Sequence, residues 1–152
     1  IDIDTAADRL LEGRHNMCQV FTVDNLKYLK KGGRISNLKA AVGTVLQIKP
    51  LLKGDPEGKI VCFAQVRGRK KAIELMAEQY DRYVEHAECE TIGIAHGDCP
   101  EDAEALIALL NRNHPPKNII NACYEPMTGA HVGPGALALF FYGKKEFRQA
   151  TK

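Results

Sequence analysis

His131 stands in "TGAHVGPG" (128–135), among Gly129, Gly133, Pro134 and Gly135. Glycines let a backbone come close to a ligand. An imidazole can donate a hydrogen bond to a carboxylate or phosphate oxygen, and its charge changes near neutral pH. The apolar run "ALALFFY" (136–142) follows directly. A polar tip beside an apolar wall suits a fatty chain with an acidic head. The same residues also describe a turn histidine capping a carbonyl. Arg34 in "GGRIS" raises a matching question. It follows two glycines at the start of a helical pattern, where a guanidinium can hold an anion at two points. The alternative is a solvated arginine in a basic turn. His131 as general base with an anion near Arg34 would make a small enzyme, but no nucleophile or partner acid is evident.

Several chemistries are excluded or weakened. The sequence has no G-x-x-x-x-G-K-[ST], no G-x-G-x-x-G, no G-x-S-x-G and no H-E-x-x-H. His96 and Cys99 form one H-x-x-C pair without a second, which is too little for a zinc site. Asp98 and Glu101 are explained by helix capping. The five cysteines are odd in number and form no C-x-x-C, which points to a reducing cytoplasm rather than a disulfide framework. No window holds about eighteen uncharged apolar residues, and the N-terminus lacks the features of a secretory signal. Net charge is +2. It is unevenly spread: 25–39 and 67–71 are basic, and 74–104 is mostly acidic. Basic patches suggest anionic ligands or partners. Without an aromatic stacking set or a reading helix they do not suggest nucleic acid.

The elements that must position these residues follow from periodicity. Residues 4–15 and 23–31 read as helices, the second stopping at Gly32-Gly33. Ser36 reads as the cap of a third, carrying Leu38, Ala41, Val42, Val45 and Leu46. Residues 49–66 read as a hairpin turning at Gly54–Gly58. Helices are expected over 69–86 and about 100–113, and strands over 91–96, 118–124 and 136–142, with a loop before the last strand. The N-terminal part reads as purely helical. The order predicts an α/β or α+β sandwich: a mixed sheet of about five to six strands with helices packed on it.

In order and spacing, "FTVDNLKYLKKGGRIS", "IKPLLKGDPEGKIV", "VRGRKKA" and "GAHVGPGALALFF" closely resemble the C-terminal part of the DegV family of bacterial fatty-acid-binding proteins. The resemblance runs from about residue 20 to residue 143. It implies a cytoplasmic carrier, not an enzyme, that holds one long-chain fatty acid and needs no other cofactor and no metal. The tail would be buried in the domain, with the carboxyl group at a junction of two domains. Members that work with a fatty acid kinase present that group to the kinase subunit for acyl phosphate formation. Carried onto this chain, His131 resembles the histidine near the carboxyl group, Arg34 a basic residue at the head-group entrance, and Arg67 an exposed arginine that could meet the kinase. Gly33, Ala130 and Val132 flank these positions. Leu38, Val42, Val45, Leu46, Ile48, Leu137, Leu139 and Phe140 are candidates for tail contact. The resemblance also implies a missing N-terminal domain, with 1–31 as a helical linker toward it and 32–152 as the lipid-binding domain. An exposed apolar mouth would then favour self-association.

Overall fold

The computed structural model describes residues 1–33 and 47–149. In chain order these form α1 (Ile3–Gly13), β1 (Met17–Thr22), α2 (Lys27–Lys31), β2 (Ile48–Gly54), β3 (Ile60–Arg67), α3 (Arg69–Tyr83), β4 (Thr91–His96), α4 (Pro100–Asn113), β5 (Asn118–Cys123), α5 (Pro126–Val132), β6 (Leu137–Tyr142) and α6 (Glu146–Gln149). A single 3-10 turn (Ala87–Cys89) lies between α3 and β4. The six strands make one mixed sheet in the order β3-β2-β1-β6-β4-β5, as the class expectation requires. Only β4 and β5 run parallel, and the α4 crossover that such a connection needs lies between them.

Side chains alternate across each strand, so the register sorts them into two faces. The first face carries Cys18 and Val20 of β1, Leu51 of β2, Ile92 and Ile94 of β4, and Leu137, Leu139 and Phe141 of β6. It is covered by α3 and α4 through Ile73, Met76, Tyr80, Leu106 and Leu110. The rings of Tyr80, Phe141, Phe147 and Tyr83 meet edge to face at 5.3–5.8 Å. Such contacts add to what burial alone supplies. The second face has its own smaller core of Phe21, Leu52 and Ala138, capped by Val23, Leu29, Val132 and Ala136.

Two expectations are corrected. The N-terminal part is not purely helical: Met17–Thr22 is β1, an inner strand pairing with both β2 and β6. "MCQVFT" is short, and Val20, Phe21 and Thr22 are buried in succession, so it shows neither helical spacing nor a sustained polar alternation. Residues 17–22 therefore pair within the sheet and are not helical. The helix preceding β1, α1, buries none of its residues. The stretch before β6 is also not a loop. Pro126 opens α5, where its missing N–H is no loss, and Glu125 caps it by accepting hydrogen bonds from the Met127 and Thr128 amides.

Candidate functional site

α2 and α5 pack together over one end of the second face, and their termini bring two separate sequence motifs into contact. His131 lies in the last turn of α5 and is half-buried. Its imidazole rests on Gly32, the residue that ends α2. A β-carbon at Gly32 would stand 2.5 Å from His131 Nδ1. Gly32 is thus the side-chain-free seat of the ring. Two residues after His131, Gly133 adopts φ +79°, ends α5, and lies so close against the Tyr28 ring that no side chain fits. The glycine-rich block is therefore shaped to fit α2.

The same end of the sheet gathers an ion-pair network. Asp24 follows β1, and its carboxylate sits under Gly135. It pairs with Lys49 at 2.7 Å and lies 3.6 Å from Arg69 Nη1. Arg69 in turn donates through Nε to Asp102 at 2.8 Å. Arg69 is thus tied to acidic partners from two elements and is not a free basic charge. Cys99 donates through Sγ to the Ala136 carbonyl, and burial holds its thiol above the usual range, so it is a poor nucleophile. His96 Nδ1 accepts a hydrogen bond from the Cys99 amide at 3.3 Å. The H-x-x-C pair is therefore a local structural contact at the start of α4, whose N-cap residue, Cys99, makes no side-chain cap hydrogen bond.

Away from α2 and α5, the second face is open among the described residues. Pairing sets Gly93 beside Phe140 and Ile120, and Ala95 beside Ala138 and Ala122. The accessible small residues are a strip of Gly93, Ala95 and Ala122 on β4 and β5, while Ala138 is fully buried in the small core. Half-buried Phe140 borders them on one side, and Ile120, 61% exposed, on the other. A β-carbon at Gly93 would meet the Phe140 side chain at ordinary contact distance, 3.6 Å. The strip is apolar and adjoins the small core through Phe140.

The family model for DegV, described as an uncharacterised protein family, matches residues 1–144. The chain belongs to the DegV family. It is 39% identical over 141 residues to a DegV domain-containing protein of Clostridium perfringens, covering 93% of this chain and 48% of that one. It is similar to the crystal structure of a fatty acid binding DegV family protein from Streptococcus agalactiae, with a TM-score of 0.81 and 32% identity, over 95% of this chain and 50% of that one. A DegV family structure from Ruminococcus gnavus, refined with vaccenic acid, matches at a TM-score of 0.83 and 25% identity, over 92% of this chain and 50% of that one. The chain thus spans about half the length of the relatives it matches.

Within this DegV chain the expected residues fall into three groups. His131 and Gly33, with Ala130 and Val132 beside them, stand at the α2–α5 contact. Ile48 and Arg67 form a cross-strand pair at the adjoining end of the β2–β3 hairpin, with Arg67 exposed. Arg34, Leu38, Val42, Val45 and Leu46 lie outside the described residues. Leu137 and Leu139 are fully buried, and their side chains sit on the first face, under α3 and α4. Of the expected tail contacts in β6, Phe140 alone is on the open face. Sequence reasoning missed Gly93, Ala95 and Ala122. A signal was present in "TIGIAH", where Gly93 and Ala95 alternate with isoleucines and mark one face made for close approach, but "NIINAC" offers only Ala122 beside the bulky Ile120.

Proposed function

We propose that this chain binds a long-chain fatty acid. The tail lies along the strip of Gly93, Ala95 and Ala122 between Phe140 and Ile120, and the carboxyl group lies near His131. The observation that carries this reading is an apolar sheet face, lined by small side chains, that runs toward a histidine seated on a glycine. The relatives described as fatty acid binding support it. Burying a methylene is worth about 0.8 kcal/mol, so roughly fourteen of them offer on the order of 11 kcal/mol before ordering costs. One hydrogen bond to a charge contributes about 1.5–3 kcal/mol. The tail therefore sets affinity, and His131 sets orientation. Arg34 would add charge at the head group, and exposed Arg67 would meet a separate kinase subunit that phosphorylates the carboxyl group. The carrier itself would do no chemistry.

Mass analysis of small molecules released on denaturing the protein purified from cells tests the reading. A long-chain acid in near-stoichiometric amount is expected. Ala95→Phe should empty the protein, whereas His131→Ala should keep most of the acid and lose its presentation to a kinase. Absence of any acid, both as purified and after incubation with oleate, would overturn the reading.

A further inference from the structure

We infer that the outer edge of β5 is a self-association surface, through which a second copy of this chain adds its own β5 in antiparallel register centred on Asn121. β5 is the last strand of the sheet, and among the described residues it pairs only with β4. The direction of its hydrogen bonds is fixed by its ends. The Asn118 amide donates to Glu90 O and the Tyr124 amide to His96 O. In a parallel ladder, bonding alternates along the strand, so Asn118, Ile120 and Ala122 face β4. Ile119, Asn121 and Cys123 then turn both their N–H and C=O groups outward. Natural edges are usually guarded by charge, proline, bulges or covering elements. Here residues 118–124 hold no charge and no proline, and β5 is exposed along almost its whole length.

The register follows from parity and charge. Antiparallel partners must both be outward-bonding residues, so odd positions face odd positions. Two-fold symmetry about Asn121 satisfies this. It sets Ile119 against Cys123 of the second copy, Ile120 against Ala122, and Lys117 against Glu125. Lys117 and Glu125 are the charges that bracket the strand, they have opposite signs, and both are exposed. The contact is self-complementary, as a two-fold interface must be. It joins two open sheet edges into one continuous sheet.

The wild-type protein should sediment as a dimer at micromolar concentration, with twice the mass it shows after denaturation. Asn121→Pro should be monomeric yet folded by circular dichroism, because the lost N–H points outward and edge strands accept proline there. Lys117→Glu should raise the dimer Kd roughly tenfold at low salt. The register has its own readout. An H-bonded antiparallel pair has Cα atoms about 5.5 Å apart. Asn121→Cys, in a background with the exposed Cys89 and Cys123 changed to serine, should therefore cross-link to itself with a short bismaleimide, whereas Lys117→Cys should not. A monomeric wild type, a dimeric Asn121→Pro protein or failure of Asn121→Cys to cross-link would each overturn the inference. A monomer that instead captures an extended peptide along β5 would overturn it as well.

Discussion

Replacing Gly32 with alanine isolates the contact on which the site is built. Gly32 has φ −74° and ψ −3°, a conformation alanine adopts freely, so the substitution strains no backbone. Fewer unfolded conformations alone would stabilise the protein by about 0.4–1 kcal/mol. The added β-carbon, however, would stand 2.5 Å from Nδ1 and 3.4 Å from Cε1 of His131. That is roughly an ångström inside ordinary contact distance. The imidazole must move, and overpacking of this kind costs about 1–3 kcal/mol. The expected net result is a loss of up to about 2.5 kcal/mol. With His131→Ala already present the clash is gone, and Gly32→Ala should stabilise by about 0.4–1 kcal/mol. The coupling between the two positions is then about 1–3 kcal/mol. Urea denaturation of the four proteins, followed by circular dichroism because the chain has no tryptophan, measures it. Proton and nitrogen resonances of the His131 ring report its displacement. If Gly32→Ala changes stability equally in both backgrounds, the cycle closing within about 0.5 kcal/mol, the ring does not rest on Gly32 and the reasoning fails.

Three further outcomes follow from buried groups and caps. Thr22 is fully buried, and its hydroxyl has no partner among the described residues, so Thr22→Val should raise stability by about 1–3 kcal/mol in the same denaturation assay. Burial pushes the Cys18 thiol up to about 12 and raises those of Cys62 and Cys99, so iodoacetamide at neutral pH should label exposed Cys89 and Cys123 first, with Cys18 protected until the protein unfolds; peptide mapping reads this. Hydrogen bonds from Thr128 and Met127 hold the Glu125 carboxyl below its usual pKa. The cap is therefore complete above the ordinary glutamate range and is lost as pH falls through the lowered value, so amide exchange in α5 should accelerate there in the wild type and be fast at every pH in Glu125→Ala.

Much of the fold was legible because its long elements carry one period each. In α3, Ile73, Met76, Tyr80 and Tyr83 recur at helical spacing and form the buried face. In the hairpin, turn residues at 54–58 separate two β-rich runs. β1 was hidden because it is short and its last three residues are buried on both faces, which leaves no sustained polar alternation. α5 was hidden because glycine and proline, which usually mark loops, here begin the helix, end it and fit it to Tyr28. At the site, the chemistry of His131 was readable from its neighbours, but its seat was not. Gly32 lies far away in sequence, and only the packing of α2 on α5 joins them. The two faces of β6 were likewise inseparable by hydrophobicity, since Leu139 and Phe140 are equally apolar; pairing with β4 and β1 decides which one faces the strip.

The position of β6 also governs how the chain can acquire its shape during synthesis. Residues near both ends meet in the middle of the sheet, Met17 opposite Tyr142 and Thr22 opposite Leu137. The β2–β3 hairpin and the β4–α4–β5 unit are local and can form early, while the pairing that unites them spans nearly the whole chain and must come last. Until "LALFFY" has left the ribosome, a nascent chain would hold two half-sheets, each with an apolar margin exposed to other chains or to a chaperone. Truncation just before residue 137 would therefore abolish folding of the sheet, although it leaves five of the six described strands in the chain.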